Sequence, residues 1–308
     1  MRKNVGFVLL GLAGFLLTVA VLALVYVPGQ VKKTPLDVNS TTRLTGEAAK
    51  LPTGDPGPVR AVSRTAADGQ DSDGDVVVFD TFSCLMRDVP GAPDCTEDTS
   101  EGSPLVTAGT DRFATDRRTA ESVDAAKAAD VGAEVHEGLV NKWPFDPEQK
   151  TYKYWDGLLG RAVDAVYQGE EEVDGVAAYK YLVTITDEPA EISKGIAGLY
   201  SDEKTLWIDK GTGSILDQEE RQVRTLEDGT VALEVNLGFT DETIAANVED
   251  AKANNSQLSL VKAAPLVLGL LGLLALAGGA FLSLVGRGRH GGDDGQNISL
   301  EEMRTSRR

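Results

Sequence analysis

The chain has 308 residues, 48 acidic against 30 basic side chains, a net charge of −18 and two cysteines. An excess of acid on this scale excludes a basic nucleic-acid interface and electrostatic docking on anionic lipids or polymers. The length is enough for one or two domains with proper cores.

In chain order, residues 1–4 form a short N-terminal lead carrying Arg2 and Lys3. Val5–Val27 follows as 23 residues with no acidic or basic side chain. At about 1.5 Å per helical residue, such a run spans a hydrocarbon core of about 30 Å. Its apolar core exceeds the usual signal-peptide length, and Val25-Tyr26-Val27-Pro28 offers no small-x-small cleavage site, so it reads as an uncleaved signal anchor. A second uncharged run of 23 residues, Ala263–Val285, is the second expected span. Pro265 near its start suits the first turn of a helix. Arg2, Lys3, Arg287, Arg289 and His290 flank the two runs, which places both termini, including the tail 286–308, in the cytoplasm. Pro28–Lys262 is then extracytoplasmic. Seven basic and four acidic residues lie outside it, so it holds 23 basic and 44 acidic residues, a net −21.

Within that region, Leu36–Val38 and Thr41–Leu44 read as short strands, as do Val59–Thr65 and Val76–Phe82. The turn before Val76 contains Asp71-Ser72-Asp73-Gly74-Asp75, a faint calcium-loop pattern. Val76 and Phe82 stand where such a loop needs Gly and Glu, so a solvated turn is expected and no metal. Cys84 and Cys95 both fall in the exported region, where a disulfide closing Leu85–Asp94 is expected.

Asp111–Val123 reads as strand, turn and strand around Asp116-Arg117-Arg118-Thr119. The same order of aromatic, Asp and Thr returns in Trp207-Ile208-Asp209-Lys210-Gly211-Thr212. Two such turns suggest similar hairpins, either a weak internal repeat or two good hairpins using the same residues. Thr119–Val135 is ambiguous between helix and loop. A turn at Asp174-Gly175 precedes a β-prone run, Ala178–Thr186, and Gln218–Arg224 and Thr230–Phe239 continue the pattern. Thr240–Asn254 changes to helical spacing with an acidic first turn. The expected fold is a membrane-anchored α+β protein, in which two terminal transmembrane helices flank a β-rich, mainly antiparallel extracytoplasmic domain.

Five of the 18 aromatic residues lie within thirteen positions: Trp143, Phe145, Tyr152, Tyr154 and Trp155. Clustered rings line lipid or sugar pockets, and they also build cores. They are the candidate ligand-binding residues. His136 is the only histidine outside the expected cytoplasmic segments. No nucleophile elbow, zinc-protease or phosphate-loop motif is present, so neither an enzyme nor a cofactor is expected.

The stretch W-P-F-D-x-E-x-K-T-Y-x-Y-W-D, from Trp143 to Asp156, resembles the signature of the actinobacterial porin PorA family. Gly169–Gly175 and the Thr205–Asp209 hairpin resemble it as well, and the likeness extends over nearly the whole chain. It implies an envelope membrane protein with an exported domain and supplies no catalytic residue. The turns of the E-x-V-x-G-x-x-x-Y and D-x-x-T-G kind also look like those of lipoprotein-carrier half-barrels.

Three functions follow as expectations. The first is a two-pass cell-envelope protein whose exported domain binds a ligand or partner, an envelope lipid or glycan. The second is an oligomeric channel subunit. The third is a structural scaffold, whose tail offers Ser299, Thr305 and Ser306 for modification. The expected strands are too short and too acidic for a membrane barrel, and neither apolar run carries a polar stripe. A pore would therefore need homo-oligomerisation through the helices, where Gly14 with Thr18 and Ala275 with Gly279 permit close approach.

Overall fold

Ten antiparallel strands make one continuous sheet in the computed structural model, which describes residues 2–285. The tail 286–308, with Arg287, Arg289, His290, Ser299, Thr305 and Ser306, lies outside the described residues. The chain divides into two units: Gln30–Leu258, and the residues up to Gly29 together with those from Ser259 onward.

The first unit is the sheet. Its strands are β1 (Asn39–Lys50), β2 (Gly57–Asp68), β3 (Val76–Arg87), β4 (Leu105–Asp116), β5 (Tyr152–Asp156), β6 (Arg161–Val173), β7 (Val176–Ser193), β8 (Ile196–Asp209), β9 (Ile215–Leu226) and β10 (Val231–Phe239). The order β4-β3-β2-β1-β10-β9-β8-β7-β6-β5 lets every hairpin pair with its neighbour in sequence, with β1 joined to β10. Segment 120–140 then connects the two outer strands. Thr115 bridges Ser122, Glu121 bridges Leu139, and Leu139 bridges Tyr154 of β5, so the half-barrel is stitched shut along part of its seam.

The strands are longer than the sequence suggested. β1 to β4 have 12 residues each and β7 has 18. β7 outlasts its expected end at Thr186 because a register shift between Ile185 and Glu188 absorbs the break. Asp187 takes a φ of 49° there, and pairing resumes through Pro189.

Alternation separates two faces. The inner face carries Tyr181, Val183, Leu206 and Ile208, then Val235, Ala48 and Val59, then Phe79 and Phe113, all buried in apolar clusters. The other face is covered locally by helices. α3 (Ala125–Asp130) is capped by Asp124, which accepts from the Lys127 N–H, and Ala128 is buried. The start of α4 (Asp241–Val285) sets Val248 and Ala251 against Trp207, Leu216 and Ala178. Where no helix covers it, this face bears Arg64, Asp80, Glu203, Glu219 and Arg221, all exposed.

The Cys84–Cys95 disulfide is formed, and it pins the loop after β3 across β1 and β2. Arg43 pairs with Asp94, and Arg60 pairs with Asp88 and donates to the Ala92 carbonyl. In the acidic turn before β3, basic side chains hold the carboxylates. Arg112 is shared by Asp68, Asp71 and Asp80; Lys127 takes Asp73; Lys33 and Arg118 take Asp75. The N–H groups of Asp75 and Val76, then Lys127, hold the Asp73 carboxyl down to about 2.

The second unit is a pair of apolar helices, α1 (Arg2–Val25) and the last part of α4; the short α2 (Val27–Val31) spans the boundary after Gly29. Both long helices are long and apolar enough to cross a membrane. Pro265 sits inside α4 and not in a first turn, because the helix already begins at Asp241. Gly6 lies against Gly279 and Ser283, and Gly272 against Leu16 and Leu17, so the two segments run antiparallel. Their contact is a heptad of small residues, with Gly6, Ala13 and Ala20 buried opposite Gly272 and Gly279. Gly279, expected at an oligomer contact, is thus used inside the chain. Gly14 and Thr18 face outward, and the Thr18 hydroxyl returns to the Gly14 carbonyl at 2.9 Å.

Candidate functional site

The five aromatic candidates do not form one patch. Trp143 is fully buried, its ring centroid 5.4 Å from Tyr154, 5.2 Å from Tyr181 and 6.4 Å from Tyr152. Main-chain bonds hold it there: the Trp143 N–H donates to the Gly213 carbonyl at 2.7 Å, and the Asp146 N–H to that of Gly211 at 3.0 Å. The Tyr181 hydroxyl donates to the Glu148 carbonyl, and the Glu148 N–H donates to the Tyr152 hydroxyl. Segment 143–148 thus plugs the inner face with one indole and its supporting tyrosines.

Phe145 is half-buried and stands apart, with the Lys142 ammonium 4.0 Å over its ring. Burial brings the Lys142 amine down to about 8. Trp155, also half-buried, alternates with Tyr154 onto the opposite side of β5 and lies 4.2 Å from the His136 ring. His136 is itself buried where segment 120–140 joins β4 to β5. Its Nε2 is 2.9 Å from Asp111 Oδ2. Burial alone would lower the His136 pKa, but Asp111 and the Glu134 carbonyl outweigh it and leave it raised.

A cleft of about 500 Å3 opens beside this seam, lined by Glu121, Glu137, Lys150, Tyr152 and Lys153 among others. Burial raises the Glu121 carboxyl, and Lys150 opposes the rise. Tyr152 is the one aromatic candidate that reaches this cleft.

Sequence reasoning missed a charged cluster on the inner face of β8 and β9. Asp202 is buried, with Lys204 at 3.6 Å from both its carboxylate and that of Glu220. The Tyr200 hydroxyl donates to Asp156 at 3.1 Å, and Gln222 donates to Glu220. Neither Asp202 oxygen has a hydrogen-bond partner. Burial pushes the Asp202 carboxyl up to about 7; Lys204 opposes the rise, and Glu220 and Asp156 add to it. Arg224, whose Nε donates to Gln222, is the second cation of the group. A protonated Asp202 leaves Asp156 and Glu220 to balance Lys204 and Arg224. Alternation in Tyr200-Ser201-Asp202-Glu203-Lys204 was the available signal, masked because polar residues occupy the inward positions.

The Asp-Thr turns are the same structure twice. Asp116 Oδ1 accepts the N–H groups of Arg118 and Thr119, each at 2.8 Å, and the Thr119 hydroxyl. Asp209 Oδ2 accepts those of Gly211 and Thr212 and the Thr212 hydroxyl. A third copy without Thr follows β5, where Asp156 accepts from Leu158 and Leu159. Each turn ends on a left-handed residue: Ala120 (φ 59°), Gly160 (φ 61°) and Gly213 (φ 75°).

Among the described residues no cluster of His, Cys, Asp and Glu has the arrangement of a metal site. The chain matches the family model described as Porin PorA over residues 5–281. A curated relative, Porin PorA of Corynebacterium amycolatum, is 34% identical over 101 residues, 29% of this chain. The match spans about a quarter of that relative's length, 26%. With a family match running from the first apolar helix through the sheet and into the second, the chain belongs to the porin PorA family.

Proposed function

We propose that this chain is a two-pass membrane subunit of a porin-type channel, with 5–27 and 263–285 crossing the bilayer, both termini cytoplasmic and 28–262 outside. The observation that supports it is the family match over residues 5–281, which covers the first apolar run and most of the second. Physical argument then restricts where a path could run. Trp143, Tyr154 and Tyr181 fill the inner face of one sheet. The outer rows at Arg64, Asp80, Glu203 and Arg221 are charged, the reverse of a lipid-facing barrel surface. The two apolar runs, 5–27 and 263–285, hold no charged residue to present to a lumen. The conducting path therefore forms between copies. Purified protein in planar bilayers should give stepwise conductance, and silence across a range of voltages with a monomeric state in detergent overturns the reading.

A second reading, binding of an envelope lipid or glycan by the exported domain, is supported by the cleft that reaches Tyr152 and by the partial exposure of Phe145 and Trp155. Mass spectrometry of protein purified in mild detergent should then recover a stoichiometric lipid or glycan. Its loss on Trp155→Ala, with the fold intact, would place the site; recovery of bulk lipid alone rejects this reading.

A further inference from the structure

The seam of the half-barrel is stitched over only part of its length, and the rest leaves one strand edge bare. On β4, the outward main-chain groups belong to alternate residues. Asp116 donates to Glu121, Ala114 accepts from Val123 and Arg112 accepts from Glu134. The same series continues to Thr110 and Ala108, for which the described residues supply no partner on that side. Thr107, Ala108, Gly109 and Thr110 are all exposed. This stretch carries no charge and no proline, the two devices by which sheet edges usually repel pairing. The only irregularity is the register shift near Leu105, at its start.

We propose that two copies of this chain pair edge to edge through β4, antiparallel about Gly109, making one sheet across both half-barrels. Antiparallel pairing centred there sets Ala108 of each copy opposite Thr110 of the other and exchanges about four main-chain hydrogen bonds. Gly109 then faces Gly109 of the other copy in a non-hydrogen-bonded pair, where Cα atoms come within about 4.5 Å. A residue with no side chain fits that approach.

Charge identifies the occupant as a second copy. A two-fold contact puts each residue against its own surface, so an acidic chain can self-pair only where it is neutral. β6 beyond Ala165 and β7 beyond Val183 also lack a partner strand on one side, but they carry Glu170, Glu171 and Glu172, and Asp187, Glu188 and Glu191, and would set carboxylate against carboxylate. At β4 no like charges meet. Anchoring both copies in one membrane raises their effective concentration enough for so small a contact to matter. The contact goes beyond the channel reading, since such a pair forms whether or not it conducts.

The native cysteines are bridged to each other, so a single introduced thiol reports on the contact. Full-length Gly109→Cys, reconstituted in bilayers and mildly oxidised, should give a disulfide-linked dimer about tenfold more than Lys194→Cys at a distant hairpin tip. The uncrosslinked double variant Ala108→Lys/Thr110→Lys should lose the dimer seen for the parent by mass photometry in detergent, with its melting temperature unchanged. Crosslinking of Gly109→Cys no greater than that of Lys194→Cys, or a dimer that persists in the double-lysine variant, overturns the proposal. Conductance measured on the same samples tests the channel reading separately.

Discussion

The main-chain N–H of Trp143 donates to the carbonyl of Gly213 at 2.7 Å, so a turn after β8 fixes the indole that fills the inner face. Gly213 holds a φ of 75°, and a Cβ there would run into the carbonyls of both Trp143 and Pro144. Gly213→Ala therefore combines left-handed strain with a backbone clash, which together cost about 2–3 kcal/mol. Thermal melts of the full chain in detergent, followed by tryptophan fluorescence, should show a fall of several degrees. Gly229→Ala, where nothing lies within 4 Å of the added Cβ, carries the same kind of φ without the clash and should fall less.

Trp143 itself is a core residue by its environment, with rings on three sides. Trp143→Ala should cost about 3–5 kcal/mol through the cavity it leaves. Trp143→Phe keeps much of the packing and should cost less than half of that. Equal losses for the two variants in a denaturant titration would mean that ring volume is not what the site needs.

Two buried groups make stability depend on pH in the same direction. The Asp202 carboxyl is raised to about 7 by burial, so the folded chain keeps a proton that the unfolded chain releases near pH 4. Stability then declines as pH rises from about 4 to 7 and levels off above. His136 has a raised folded pKa, so its contribution is full below about 6.5 and fades as pH climbs through the folded value. The melting temperature of the parent should therefore drop between pH 5 and pH 8. Asp202→Asn removes the ionisation and should gain about 1–3 kcal/mol at pH 8 while changing little at pH 4. A gain of the same size at both pH values would mean that packing, and not the proton, sets the effect.

Much of this fold was readable from local chemistry. Asp174-Gly175 marks the β6–β7 turn, and both apolar runs lie on long helices. Asp116 and Asp209 signalled turns because a short carboxylate before a polar pair satisfies nearby N–H groups. What escaped was set by distant partners. The length of β7 depends on a bulge at Asp187 that only its pairing with β8 stabilises. The inward placement of Asp202 and Lys204 contradicts the rule that inner positions are apolar; Lys204 is what opposes the burial of Asp202, and Lys204 in turn has Glu220 and the Tyr154 ring across the sheet, partners no local pattern shows. The aromatic run was visible, but composition could not separate Trp143, which is core, from Trp155, which is half-exposed on the other side of its strand.

The repeated turns give a graded prediction. Asp209 is 1% exposed, and its second oxygen accepts from Asn255 of α4 at 2.8 Å, so the residue also ties the turn to the helix. Asp209→Ala should cost about 2–3 kcal/mol, since it leaves buried N–H groups unpaired. Asp116 makes the same turn bonds from a half-buried position, where water can replace the carboxylate, and Asp116→Ala should cost about 1 kcal/mol. Denaturant titrations of both variants would rank them, and an equal or reversed order would mean that burial does not set the worth of the turn.

The disulfide gives the last test. Cys84 and Cys95 close a short loop that also carries Asp88 and Asp94, the partners of Arg60 and Arg43. These two ion pairs are exposed, and each is worth well under about 1 kcal/mol alone. Arg60 also donates to the Ala92 carbonyl and the Asp88 N–H to that of Pro58, and beside these ties the covalent link is the largest, contributing about 3 kcal/mol in the chain-entropy model. Reduction, or Cys84→Ser/Cys95→Ser, should lower the melting temperature by several degrees and free the Val89–Pro93 segment for proteolysis. Because Cys84 is 3% exposed beside buried Met86 and Val62, reduction by dithiothreitol should be slow until the loop opens. Rapid reduction with no new cleavage site would show that the loop holds its place without the bond.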